Sequence, residues 1–265
     1  MTPRKRSELP HLYYPEMNQT RILNPHGFAA GGGGGITDPL DIAGCVLWLD
    51  GSDASTMYDA TTGGSLVADD ADIYRWEDKS TSANHATQGT AADCPHRRAA
   101  SVNSLDSADF DGAADMDLAF TLTATDCTII FATERNTSSA RAVALTFGEL
   151  IGDIGPMYWA STLAYNGFNA GYITDSSAPS GVGPHVLTGR KSGTSTEMWI
   201  NGPSSGSLTV SAGDVDFNAV GRRRSSERSN SKILEIIVYE SALSTSDRES
   251  VEDYLGTKWG TTITH

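Results

Sequence analysis

The run Ile233-Leu234-Glu235-Ile236-Ile237-Val238-Tyr239 constrains this chain more than any other stretch. β-Branched and aromatic side chains crowd it, Ser and Asn precede it and Glu-Ser-Ala follows, so it reads as a strand. A strict two-residue period puts Leu234, Ile236 and Val238 on one face, and Ile233, Glu235, Ile237 and Tyr239 on the other. A strand apolar on both faces belongs inside a sheet, with a layer on each side. Next comes Ser244-Thr245-Ser246-Asp247, a capping box with Asp in place of the longer Glu. Acids crowd the early turns (Asp247, Glu249, Glu252, Asp253) and Lys258 comes late, the order a helix dipole favours. Val251, Tyr254, Leu255 and Lys258 keep helical spacing up to Trp259 and Gly260. Gly256 is a mild defect inside that helix. The expectation is a short terminal helix that packs back and plugs one end of a β-structure.

Upstream, apolar runs recur every 8–12 residues or somewhat more, separated by Gly, Pro, Ser and Asn, which is the all-β rhythm. Cys45 to Leu49 reads as a strand apolar on both faces, with Asp50, Asp53 and Asp59 in the loop behind it. Tyr74 to Trp76 is a short strand. Ala108 to Asp111 and Met116 to Leu122 flank the turn signal Asp111-Gly112. Thr128 to Thr133 is a buried strand. Ala142 to Phe147, Met157 to Ser161, Gly167 to Ile173 and His185 to Lys191 follow. Glu197 to Ile200 runs into Asn201-Gly202, a strong hairpin signal. Leu208 to Val210 and Phe217 to Gly221 lead to the final strand. No internal repeat is present.

Four blocks carry a family resemblance. "LEIIVYESALSTSDRESVEDYLGTKWG" resembles the C-terminal signature of concanavalin A-like lectin/glucanase (laminin G-like) domains of the kind found in phage virion proteins. "VLWLDGSDAST" (Val46 to Thr56) is similar to that family's first strand. "YRWEDKSTSANHATQ" (Tyr74 to Gln88) is similar to its Trp-x-Asp-Lys-Ser-x-x-x-Asn-His-Ala motif, and "ADFDG" (Ala108 to Gly112) is the fourth block. Together they cover about residues 44 to 260 in order. The resemblance implies an all-β, two-sheet antiparallel jelly-roll sandwich with one short C-terminal helix and an extended N-terminal arm. It does not specify a function, because this fold hosts many.

Residues 1–36 read differently from the rest. They hold four prolines, no sustained period, the basic cluster Arg4-Lys5-Arg6, and the glycine run Gly31 to Gly35, a flexible joint. The expected division is an anchoring arm over 1–36 and a sandwich domain over 37–265. Arg4, Lys5, Arg6, Leu12, Tyr13, Tyr14, Ile22 and Phe28 are the residues expected to grip a partner, since aromatic and arginine anchors dominate interface energetics. The alternative is an arm folded over its own domain.

Charge and cysteine content narrow the classes. The chain has 33 acidic and 19 basic residues and a formal net charge of −14, which argues against non-specific nucleic-acid binding. Cys45, Cys94 and Cys127 fit no zinc spacing, and nothing in them requires an oxidising compartment. No apolar run approaches the length of a membrane-spanning helix, and no secretory signal follows the charged start.

Candidate chemistry is sparse. A glucanase of the resembled family is expected to carry Glu-x-Asp-x-x-Glu on a strand, setting two carboxylates at a close, fixed separation. No strand here has it. No Gly-x-Ser-x-Gly elbow occurs in a strand–turn–helix context. His85 reads as a structural histidine within Asn84-His85-Ala86. Asp50, Asp53, Asp69, Asp70 and Asp72 lie in acidic loops, and Asp50 and Asp53 are the candidates to hold calcium; no other cofactor is expected. Gly31 to Gly35 lacks the Lys-Ser/Thr of a phosphate loop. Arg222, Arg223 and Arg224, with Arg228, form the one basic patch of the body and suit a hairpin loop. Tyr158, Trp159 and Tyr165, with Phe168 and Tyr172, are an aromatic cluster that stacks on sugars if exposed and forms core if buried.

The expectation from these readings is a non-enzymatic virion structural protein (a capsid decoration, head fibre or tail-associated module). It would be assembled in a host cytoplasm, anchored by the arm to other virion proteins or to copies of itself, a trimer included. Its lectin-like domain would be displayed at the virion surface for attachment to a host glycan, with no nucleic acid and no membrane insertion. Candidate ligand-binding residues are Tyr158, Trp159, Tyr165, Arg222, Arg223 and Arg224. The alternatives are a carbohydrate-binding module outside any particle and a glycoside hydrolase of the same fold.

Overall fold

The computed structural model describes residues 35–143, 145–146, 154–160, 163–168, 171–224 and 227–265. The arm residues named above lie outside the described residues, as do the side chains of Trp159, Tyr165 and Arg224.

Two antiparallel sheets stack face to face. The first runs β16 (Ser204–Thr209), β15 (Ser195–Ile200), β14 (His185–Ser192), β8 (Cys127–Arg135), β20 (Asn230–Tyr239), β6 (Leu105–Asp111) and β5 (His96–Val102), and β1 (Cys45–Asp50) also pairs with β20. The second runs β13 (Gly171–Asp175), β12 (Leu163–Phe168), β11 (Ile154–Ala160), β10 (Leu145–Thr146), β17 (Val215–Val220), β7 (Met116–Ala124), β4 (Ala86–Thr87), β3 (Arg75–Trp76) and β2 (Met57–Tyr58), with β9 (Ala142–Val143) on β11. A short hairpin joins β18 (Arg222–Arg224) to β19 (Glu227–Arg228), and one helix, α1 (Thr245–Trp259), follows β20. The all-β sandwich with its C-terminal helix is therefore present, and the arginine run does lie on a hairpin.

Strand β20 is the centre of the first sheet. One of its edges pairs with β8 along its length. The other is shared, its first half pairing with β6 and its second half with β1. A β-bulge falls between Ile233 and Glu235, which pair with the consecutive residues Thr133 and Ala132 of β8. The extra residue shifts the alternation by one. Ile233, Ile236 and Val238 consequently join the inter-sheet core, with Leu49, Phe131 and Phe217, while Leu234, Ile237 and Tyr239 join the outer cluster under α1. The strict two-residue reading, which put Leu234 with Ile236 and Val238, is corrected by this bulge. Gly51 makes the bulge possible. Its N–H donates to the Leu234 carbonyl at 2.8 Å, and a Cβ at Gly51 would stand 2.6 Å from that oxygen.

The helix lies on the outer face of the first sheet and does not plug an end. Val251, Leu255 and Trp259 pack with Trp48, Ile130, Val186 and Ile237. A face apolar enough to form a second core requires a cover, and α1 is the nearest element in the chain able to supply it. Ser244 caps it by accepting from the Asp247 N–H at 3.1 Å, and Gly260 closes it at φ 75°. Gly256 has a packing role rather than being a defect, because a Cβ there would come within 2.5 Å of Ile263 Cγ1 and 2.9 Å of the Thr261 carbonyl.

Two further readings are corrected. Residues 167–173 are not one strand: β12 ends at Phe168, β13 begins at Gly171, and these two residues pair. Asp111-Gly112 is not a hairpin turn within a sheet, since β6 before it belongs to the first sheet and β7 after it to the second. Asn201-Gly202 does turn a hairpin, with φ 54° and 100° at its two residues.

Replacing Gly51 by Ala is expected to cost about 1–3 kcal/mol by urea unfolding, the range for overpacking against fixed neighbours. Gly183→Ala, where a Cβ meets nothing within 4 Å, serves as the control and should change the midpoint little.

Candidate functional site

Glu235 shares the outer face of β20 with Ile237 and Tyr239 and meets the helix, where it is fully buried. Its carboxylate accepts from Trp48 Nε1 at 2.6 Å, Trp259 Nε1 at 2.9 Å, Lys258 Nζ at 2.7 Å and the Tyr254 hydroxyl at 3.2 Å. Lys258 Nζ also reaches Asp50 at 2.8 Å. Asp50 in turn binds Lys79 at 2.9 Å, and Lys79 binds Asp53 at 3.0 Å while lying 4.2 Å over the Trp48 ring. A chain of alternating charge thus runs from a sealed acid to the surface, across β20, α1, β1 and the loop after β3. Burial, with the Asp50 charge, pushes the Glu235 carboxyl up against the opposing pull of Lys258 and Trp259. Burial also pushes Asp50 upward, but Lys258 and hydrogen bonds from Ser52 and Lys79 outweigh it and hold the group below its ordinary value. The calcium candidates Asp50 and Asp53 are therefore bridged by the Lys79 ammonium.

The Trp-x-Asp-Lys-Ser-x-x-x-Asn-His-Ala block forms a clasp next to this network. Asp78 accepts from the backbone of Trp48 at 2.8 Å, Ser80 at 2.8 Å and Asn84 at 2.9 Å. Asn84 Nδ2 donates to the Val46 carbonyl at 2.8 Å, and His85 Nδ1 accepts from the Asp78 N–H at 3.0 Å. Asp78, Asn84 and His85 tie the loop to β1 or to itself, and Trp76 and Ala86 fill the inter-sheet core, so the resemblance in this block marks architecture.

A second buried acid, Glu252 of α1, pairs with Arg248 and accepts from Thr188 at 2.6 Å. Burial pushes it up, against Thr188 and Arg248. Both sealed acids thus bind the helix to the sheet.

The arginine run meets acids. Arg222 contacts Asp115 at 3.2 Å and Asp117 at 2.6 Å, Arg223 contacts Glu227 at 3.3 Å, and Arg228 contacts Asp115 at 3.1 Å and Asp93 at 2.7 Å. Tyr158 has no exposure; the Arg135 guanidinium stacks 4.3 Å from its ring, and His185 lies 5.6 Å away. Trp159 and Tyr165 lie on the adjacent strands β11 and β12 of the second sheet. The structure thus places the named aromatics in one sheet, separates the Tyr158 ring from solvent and pairs Arg222 and Arg223 internally.

Sequence reasoning missed two features. One is the assembly of Glu235, Asp50, Lys258 and Lys79; its sequence signals were an acid within an apolar strand and the Tyr254/Lys258 pair at i, i+4. The other is an open cleft of about 350 Å³ where the chain passes from β7 to β8, lined by Thr123, Ala124, Thr125, Asp126 and Glu240. Asp126 accepts from the Gly193 N–H at 2.6 Å and Asp214 accepts from the Thr125 hydroxyl at 2.7 Å. Nothing but a polar turn marked it in the sequence. A second groove of about 300 Å³ lies along α1, between Gly35, Ile36 and the side chains of Asp253, Tyr254 and Lys258. Among the described residues there is no cluster of three or more His, Cys, Asp or Glu side chains arranged to hold a metal ion.

With this geometry in view, the two-sheet sandwich is similar in fold to parts of several solved structures. A Trypanosoma rangeli sialidase in complex with sialic acid superposes with a TM-score of 0.52 at 13% identity, over 84% of this chain and 34% of that one. A second Trypanosoma rangeli sialidase structure gives 0.51 at 12% identity, over 87% and 36%. Domain 4 of a GH43 extracellular arabinanase from Geobacillus stearothermophilus gives 0.48 at 13% identity, over 80% and 98%. The chain spans about a third of the length of the sialidase. No protein-family model and no curated protein matches the chain.

Removing the Lys258 charge by Lys258→Met leaves Glu235 without its cation. The expected loss is about 3–5 kcal/mol at neutral pH, the range for breaking a buried pair. It should shrink toward acid pH, where Glu235 takes up a proton. A deficit independent of pH in urea unfolding would contradict the assigned pairing.

The acid limb of the parent's stability follows from Asp50 and Asp53, both held below the ordinary 3.8. Their contribution is present above 3.8 and is lost as pH falls through the lowered folded values. Glu235, raised above 4.5, acts in the opposite sense and opposes folding as pH climbs past that value. Unfolding midpoints should therefore fall on acidification below 3.8, and less so in Asp50→Asn.

Proposed function

We propose that this chain is a non-catalytic carbohydrate-binding module. The observation that carries the reading is the division between its acids. Glu235 and Glu252, whose titration burial shifts upward, are sealed beneath α1 in ion pairs. The open cleft at the β7–β8 turn offers two threonine hydroxyls and two carboxylates. Asp50 and Glu235 share the Lys258 ammonium, but Glu235 has no exposure to meet a substrate as a glycosidase acid must. Sugar hydroxyls donate well to carboxylates and exchange hydrogen bonds with threonine, so Thr123, Thr125, Asp126 and Glu240 are suited to hold a glycan without cleaving it. A sandwich of this type is also part of a sialidase seen with sialic acid, which supports the class and not the ligand.

Trp159, on β11, is proposed as a separate stacking contact away from the cleft, since the registers of β11, β10, β17 and β7 put it toward the other end of the second sheet from Ala124 and aromatic side chains combine a large apolar face with little conformational freedom to lose. The test is a glycan array with the full chain. Binding to at least one glycan, weakened about tenfold or more by Glu240→Ala on the cleft wall, which corresponds to about 1.4 kcal/mol, is the expected result. A blank array would sink the reading, and release of reducing sugar from a bound glycan would replace it with the glycoside hydrolase.

For residues 1–36 the proposal is a tether. Their basic cluster contrasts with an acidic body, which favours a docking partner over solvent. A virion is the particle proposed for it, and particle-derived mass spectrometry checks this; recovery only as a free monomer would count against it.

A further inference from the structure

Many cations of the described body are paired with acids of the same chain, and Lys191, which is buried, gives its ammonium to the carbonyl of the cleft residue Thr125. Arg97 contacts Asp106 at 2.6 Å, Arg98 contacts Asp109 at 2.9 Å, Arg190 contacts Glu197 at 2.5 Å and Lys232 contacts Glu134 at 2.5 Å. Arg222 and Arg228 converge on Asp115, which is itself buried. Turning either arginine outward to meet a ligand would strip a buried carboxylate of a cation, a change that costs several kcal/mol when a buried pair is broken.

The open cleft has the opposite character. Asp126 is held by a backbone N–H and Asp214 by a hydroxyl, contacts that leave each charge uncancelled, and Glu240 is exposed at the cleft wall. Around it, the chain carries 33 acidic against 19 basic residues, and four of the basic residues lie in the arm. An approaching anion therefore meets a field of its own sign. Recognising a sugar carboxylate, sulfate or phosphate calls for a cation with an open donor edge, most often an arginine fork, and the arginines above have theirs turned to acids of this chain.

Resting on the glycan-binding reading, we propose that the glycan taken by this chain carries no anionic group. The ligand is an uncharged sugar chain whose hydroxyls donate to the cleft carboxylates, and sialylated, uronic or sulfated relatives are rejected by charge. Similarity of fold to a sialidase thus does not extend to the anionic sugar seen in that enzyme.

The experiment presents the full chain with matched glycan pairs, each an uncharged oligosaccharide and its sialylated or sulfated form, at 10 mM and 1 M sodium chloride. The expected result is binding of the uncharged member with the anionic member about tenfold weaker or more at low salt. The gap should narrow at high salt, as the screening length falls from about 30 Å to about 3 Å. An anionic member bound as well as or better than its partner at low salt overturns the inference and leaves glycan binding standing. A gap that ignores salt overturns the electrostatic cause. Binding to neither member of any pair overturns the glycan-binding reading, and this inference with it.

Discussion

A carboxylate with no exposure to water sits at the centre of this fold and requires compensation. Desolvating Glu235 costs several kcal/mol unless its lone pairs are filled and its charge is met. Two indole N–H groups, a phenol and the Lys258 ammonium do this together, and they come from β1 and α1. Any displacement of the helix from the sheet would uncover the acid and separate it from its cation. The interaction is therefore worth less as net stability than as specification: only one docking of α1 on β1 and β20 satisfies all four donors.

The bulge at Leu234 comes before this arrangement in the chain of causes. With regular pleating, Leu234 would lie with Ile236 and Val238 and fall into the inter-sheet core. The added residue instead turns Leu234 outward beside Glu235 on the helix side and Ile233 inward, and the bulge carbonyl is taken up by Gly51. The Asp78 clasp then holds the β3–β4 loop to β1, which brings Lys79 to Asp50 and Asp53. Residues far apart in the chain are brought together by one strand irregularity and one loop.

The same use of charge governs the surface. Ion pairs absorb many of the described basic residues, including Arg222 and Arg223 of the run that stands out in the sequence, while Asp126 at the β7–β8 turn is held by a backbone N–H. A protein arranged this way offers hydrogen-bond acceptors to its surroundings and keeps its cations for architecture. Under the proposed reading, that arrangement suits recognition of hydroxyl-rich ligands.

Much of the fold was legible because local physics carries it. The all-β rhythm, the buried strand β8, the Asn201-Gly202 hairpin, and the Ser244 and Gly260 caps each depend on neighbours a few residues away. The single strand read over 167–173 failed because period and composition do not show where a run reverses on itself. The faces of β20 were misassigned because a bulge depends on pairing with β8 and on Gly51, both far from β20 in the chain. The candidate site was less legible still. Arg222 looked available because its partners Asp115 and Asp117 arrive from another strand, and the cleft at the β7–β8 turn exists only where Glu240 closes it. The sequence by itself determined which residues are apolar, how they alternate and where turns and caps fall, since those are short-range preferences of backbone and side chain. Only the tertiary structure decided which charges cancel and which remain, because Coulomb energy and desolvation depend on distances between side chains that the chain order does not encode.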